Sequence, residues 1–140
     1  MLFEVDDWEL AEGIFDGRKR IIRQRATLPP TAERQLYCHL VIVAWPYDGG
    51  GMPDRSTHAR MQLVEDALEA GTERRDKGFQ VLSMTGLGRK EWRFYTADVE
   101  SFIESLNDDL QGQGDVPLEI ESWFDPDWNG LLEFRSSSDS

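Results

Sequence analysis

The sequence predicts an α+β domain, an antiparallel sheet with two helices on one of its faces. Three observations point there. An almost unbroken apolar run, Leu36 to Trp45 ("LYCHLVIVAW"), carries the β-branched residues of a strand buried on both faces. Two later segments, around Met61 and around Phe102, repeat apolar residues at helical spacing. Between them, "FQVLSMTGLGRKEWRFYT" reads as two extended segments joined at a glycine-rich turn. At 140 residues, 39% of them hydrophobic, the chain is long enough for one self-supporting core. Residues 1–135 are expected to form that single domain, and residues 136–140 a disordered tail with nothing to bury.

In chain order, Trp8 to Phe15 and Arg20 to Leu28 are extended, and Asp16-Gly17 between them is a hairpin signal. Pro29-Pro30 ends the second, and Thr31 to Gln35 suits one helical turn. The buried strand Leu36 to Trp45 follows, then a loop, "YDGGGMPDRS". Asp54 or Ser56 is placed to cap a helix whose stripe is Met61, Val64, Leu68 and Gly71. Its end, "TERRDKG", sets cations where the helix dipole favours them. Phe79 to Thr85 and Glu91 to Thr96 are strands, with Trp92 and Phe94 on one face and Glu91, Arg93 and Tyr95 on the other. Thr96 is placed to cap a second helix, Ala97 to Leu110, with Val99, Phe102, Ile103, Leu106 and Leu110 inward. "LEIESWF" alternates Leu118, Ile120, Ser122 and Phe124 against Glu119, Glu121 and Trp123. The order is an N-terminal β-hairpin, then a ferredoxin-like βαββαβ unit with two helices on one face of an antiparallel sheet.

Charge narrows the function. Met1 to Thr96 holds 15 acidic and 14 basic residues, whereas Ala97 to Phe134 holds 11 acidic residues and no Lys or Arg. Nearly all of the net charge of −12 therefore lies in the last third of the chain. Such a surface repels nucleic acid and anionic lipid and attracts basic proteins or cations. No apolar run is long enough to span a membrane, and "MLFEVDDWEL" is acidic where a secretory leader is basic. One cysteine, Cys38, leaves no internal disulfide framework; a cytoplasmic location is expected.

Four constellations invite a chemical reading. "TGLGRKEW" has Glu91 where a dinucleotide fingerprint needs its third glycine, and an alternating strand follows instead of a helix. It is a hairpin turn. "DPDWNG" matches the start of a calcium loop, with Asp125, Asp127 and Asn129 as candidate ligands. However, Ser136 stands where that loop needs a bidentate glutamate. The competing reading is a turn with Trp128 packed back on the sheet. Cys38 and His39 are neighbours on a strand and point to opposite faces, and a Cys38–His58 nucleophilic pair has no supporting motif. No cofactor is implied.

The fourth is the second helix. Glu100, Glu104 and Asp108 recur at i, i+4 and i+8, with Asp98 and Asp109 beside them and no cation to relieve the repulsion. A solvated face kept for solubility explains this; so does a docking surface for a basic partner.

The ordered series "GGGMP", "MQLVEDALEA", "TGLGRKEWRFYT", "FIESLNDDL" and "PLEIESWFDPDW" resembles the bacterial family called domain of unknown function 695, over Trp8 to Trp128. The resemblance implies a ferredoxin-like α+β domain and supplies no catalytic residues. Such domains also look distantly similar to the acidic RraB family of ribonuclease E inhibitors. The expectation is a non-enzymatic inhibitor, regulator or immunity-type partner of a basic protein such as a nuclease. Asp98, Glu100, Glu104, Asp108, Asp109, Glu119 and Glu121 would supply the contact, with Trp123 or Trp128 as aromatic anchors. The alternative is a small enzyme or ligand-binding domain, with its site near Cys38, the loop Gly49 to Pro53 and the sheet face of Arg93 and Tyr95.

Overall fold

A computed structural model describes residues 7–15, 17–47, 51–75, 78–113 and 116–132, with the backbone alone at 15 and 69–75. The expected tail, 136–140, lies outside them. The elements are β1 (Trp8–Phe15), β2 (Arg18–Arg25), α1 (Thr31–Leu36), β3 (His39–Pro46), α2 (Arg55–Arg75), β4 (Gly78–Gly86), β5 (Arg89–Thr96), α3 (Val99–Leu110) and β6 (Glu119–Phe124). A further helical turn spans 129–132. The strands form one open antiparallel sheet in the order β1-β2-β4-β5-β3-β6. The N-terminal hairpin therefore extends the sheet past β4 instead of standing apart from it.

Alternation along β3 and β5 assigns the two faces. Val41, Val43, Trp45, Trp92 and Phe94 form one core with Met61, Val64 and Leu68 of α2 and Phe102 and Leu106 of α3. The Trp92 indole donates to Glu65 Oε1 at 3.0 Å, and Phe94 meets Phe102 with ring centroids 5.2 Å apart. These contacts seat each helix on β5. The opposite face also has a cover. Leu40, Ile42, Phe79, Leu82 and Tyr95 pack beneath Trp128 and Leu131, with Tyr37 at their margin.

Two local devices hold the hairpin to the rest. The β4–β5 register slips between Gln80 and Leu82, leaving Val81 as an extra residue. The Gln80 carbonyl at this bulge accepts from Nε of fully buried Arg25 at 2.8 Å. Arg25 in turn lies over the Trp8 ring, its guanidinium carbon 4.6 Å from the centroid. At the β4–β5 turn, Gly86 has φ +140° and lies so close to β2 that a Cβ would sit 2.6 Å from the Lys19 carbonyl oxygen. Only glycine meets both demands. The glycines of "TGLGRK" thus serve a tight turn and a close strand crossing.

The start of α2 falls where expected, and that of α3 differs. Asp54 caps α2, its Oδ1 accepting from Thr57 N–H at 2.7 Å. Asp98, one of the acids expected at the contact surface, caps α3 by accepting from Ser101 N–H at 3.2 Å. Thr96 stands two residues earlier, fully buried at the end of β5, and supports Asp98 through its hydroxyl.

Candidate functional site

The helix α3 separates its residues cleanly. Phe102, Ser105 and Leu106 are buried, and Asp98, Glu100, Glu104 and Asp108 are exposed. Asp109 is half-buried, so it stands apart from the exposed row. Glu100 sits in the first turn, where the dipole favours an anion, while the last turn holds no basic residue. Asp108 therefore presents a carboxylate where the helix end already carries partial negative charge. An exposed acidic row with this unrelieved end is a surface suited to cations.

The acids of β6 do not join that row. Glu121 pairs across β3 with Ile42, and Trp123 with Leu40, both in the core on the face opposite α2 and α3. Glu119, Glu121 and Trp123 thus lie on one face of the sheet and α3 on the other. One compact contact surface spanning both sets does not form. All six residues of β6 are exposed, including Ile120 (37%), Trp123 (57%) and Phe124 (72%). Sequence reasoning read Ile120 and Phe124 as an ordinary apolar face.

Trp128 is not an exposed anchor. It is fully buried and stacks on Tyr95 with ring centroids 4.2 Å apart and planes 6° from parallel. Its indole N–H is shared between the carbonyls of Arg34 and Tyr37, at 3.0 Å each. A left-handed backbone (φ +61°) turns it back on the sheet. The cause is Asp125, whose Oδ1 accepts from Asn129 N–H at 3.0 Å and whose Oδ2 accepts from Gly130 N–H at 2.9 Å and Tyr95 O–H at 2.6 Å. "DPDWNG" is thereby a capped helical turn closed around its first carboxylate. Asp127 and Asn129 point outward and are exposed. Among the described residues, no group of three or more His, Cys, Asp or Glu is arranged to hold a metal ion.

The sheet face proposed for a small ligand is occupied at Tyr95 by that same turn. Burial, and then the Asp125 carboxylate, push the Tyr95 hydroxyl well above the ordinary tyrosine range. Arg93 is spent on Glu91 (2.7 Å) and the Gly130 carbonyl (2.7 Å). A small pocket of about 150 Å³ is lined by Arg20, Met84, Gly86, Leu87, Arg89 and Glu91. Cys38 precedes β3, while exposed His58 opens α2 beyond the far end of that strand, so the two are not a pair. Gly49 and Gly50 of the glycine-rich loop lie outside the described residues. Gly51 accepts from the Tyr47 hydroxyl and from Gly88 N–H, tying the loop to the β4–β5 turn. Beside it, a cleft of about 260 Å³ is lined by Trp45, Pro46, Tyr47, Asp54, Thr57, Arg60 and Pro117.

No helix among the described residues is long and apolar enough to cross a membrane. Residues 6–135 match the model of a family described as "Family of unknown function (DUF695)". No curated protein and no solved structure gives a significant match.

Proposed function

The chain belongs to the DUF695 family of unknown function, and on that premise we propose that it is a non-enzymatic, acidic binding protein for a basic protein partner. An inhibitor or immunity-type role toward a basic enzyme such as a nuclease, in a bacterial cytoplasm, is the form this takes. The observation that carries it is the exposed row Glu100, Glu104 and Asp108 on a helix without a basic residue, with the exposed capping residue Asp98 at its start. Like charges at i, i+4 cost a helix about 0.2–0.5 kcal/mol per pair, and an arriving cationic surface relieves that cost. The same charges steer a basic partner to the site. The proposal also reads β3–α2–β4–β5–α3–β6 as a ferredoxin-like unit, in keeping with the strand order β4-β5-β3-β6. Fold analogy adds no functional weight.

The ligand-binding alternative, near the glycine-rich loop and the sheet face of Arg93 and Tyr95, draws on the cleft of about 260 Å³ beside that loop and the pocket of about 150 Å³ beside Arg20 and Arg89, both below the usual range for small-molecule sites. Capture of a partner from the native host, followed by its affinity for the triple variant Glu100→Lys, Glu104→Lys, Asp108→Lys, tests the acidic helix. Binding is expected to weaken by at least about tenfold. Undiminished binding removes α3 as the docking surface.

A further inference from the structure

We infer that the free edge of β6 is a strand-addition site for an extended partner segment in which Lys or Arg alternates with apolar residues. The inference deepens the acidic-binding reading and rests on it, since the same class of partner is invoked. It names a different element and a different kind of contact.

The strand β6 ends the sheet, paired with β3 on one side and with nothing on the other among the described residues. Its ladder phase is set by Asp125 N–H, which donates to the Cys38 carbonyl at 2.7 Å. In an antiparallel ladder, alternate residues bond to the same neighbour. Glu119, Glu121 and Trp123 therefore bond toward β3, and Ile120, Ser122 and Phe124 turn their backbone N–H and C=O to the open edge. The pairing of β6 with β3 runs without a register shift. Within Glu119–Phe124 there is no proline, lysine or bulge, three of the devices by which edge strands are closed to pairing, and the strand's two carboxylates repel anions while admitting a cationic strand.

The side chains of this edge are sorted by face. On one side stand Ile120 and Phe124 with Ser122 between them, apolar and exposed. On the other stand Glu119, Glu121 and Trp123, two carboxylates and an aromatic ring that attract cations. An added strand supplies backbone hydrogen bonds, and its alternate side chains meet these two rows. Apolar residues fall beside Ile120 and Phe124, and Lys or Arg falls beside Glu119, Glu121 and Trp123.

Charge selects this occupant over a second copy of the chain. Two copies paired through β6 would bring together two 97–134 segments, each with 11 acidic residues and no basic one. The other outer strand, β1, carries Glu9 and Glu12 and offers no complementary row.

The probe is a blocked peptide of about seven residues alternating Lys and Val, long enough to span β6. Its binding is followed by amide chemical shifts and calorimetry. Expected are shifts at Ile120, Ser122 and Phe124, and affinity about tenfold weaker for Ser122→Pro, which removes one outward N–H and no bond to β3. Ser122→Ala should bind as wild type. A peptide N-methylated at its pairing amides should bind weakly to the unaltered protein, a test independent of whether Ser122→Pro folds. Equal binding of methylated and unmethylated peptides overturns strand addition, as does the absence of any binding. Loss of binding in the α3 triple variant with no effect of Ser122→Pro also overturns it, while leaving the acidic-helix reading intact. A wild-type dimer that Ser122→Pro converts to monomer assigns the edge to a second copy and overturns the proposed occupant.

Discussion

Three donors converge on the two carboxylate oxygens of Asp125: the hydroxyl of Tyr95 and the amides of Asn129 and Gly130. This residue ends β6, caps the turn over 129–132 and so decides where Trp128 goes. Gly130 permits the closure, because a Cβ there would come within 2.6 Å of the Leu40 side chain and 2.9 Å of the Tyr95 hydroxyl. Asp125→Ala removes the cap and leaves the buried Tyr95 hydroxyl without its acceptor, for an expected loss of about 2–4 kcal/mol in urea unfolding. Tyr95 also gives the protein an alkaline limit. Its hydroxyl is held neutral in the fold by burial and by Asp125, above the ordinary value of 10.0. Below that value both folded and unfolded chains keep the proton, and stability does not depend on this group. Above it the unfolded chain ionises first, so stability falls as pH rises. Tyr95→Phe should flatten the decline above about pH 10 by up to roughly 1.4 kcal/mol per pH unit. Tyr47, also raised by burial, leaves a residual slope. An unchanged alkaline profile in Tyr95→Phe would refute the assignment.

At the scale of elements, α3 sets stability against binding. Asp108 lies in its last turn, where no basic residue is present and the dipole opposes an anion. Asp108→Lys should therefore raise stability by a few tenths to about 1 kcal/mol at low salt, with the gain fading at high salt. The same change should weaken a basic partner. A variant that gains neither stability nor loses affinity would show the row to be inert. Much of this was legible in the sequence, because helical and strand periods are local. Phe102 and Leu106 as the inward residues of α3, the two faces of β5 and the turn at Gly86 could all be read from spacing, whereas the half-buried Val99 and Ile103 and the buried Ser105 could not. The place of the β1–β2 hairpin could not, since β2 pairs with β4 across residues distant in sequence. Nor could the division of the acids between two faces, which depends on the register of β6 against β3. Trp128 was ambiguous for a related reason. An Asp-Pro-Asp-Trp turn is equally readable as exposed or as folded back, and the acceptors at Arg34 and Tyr37 that decide it lie over 90 residues away.

The molecule as a whole separates its charges along the sheet. The strand β2 carries Arg18, Lys19, Arg20, Arg23 and Arg25, and β4, β5 and β3 lie between it and β6. At about 4.8 Å per strand, β2 and β6 are roughly 19 Å apart. That exceeds the Debye length of about 8 Å at physiological salt, so the basic hairpin does not neutralise the acids of β6 there. Part of the hairpin's charge is in any case committed locally, Arg23 to the Trp8 ring and Lys19 to Glu12. A cationic ligand approaching in solution therefore meets a net-negative chain whose field is concentrated around α3 and β6. Its association rate should fall by about tenfold or more between roughly 10 mM and 150 mM salt, while its dissociation rate, set by short-range contacts, changes far less. Stopped-flow binding of the alternating Lys-Val peptide measures both rates. The Glu100→Lys, Glu104→Lys, Asp108→Lys variant should show a much shallower salt dependence of association, because the steering charges on α3 are reversed. An association rate indifferent to salt in the unaltered protein would mean that the acidic end does not guide the encounter, and docking would then rest on β6 pairing alone.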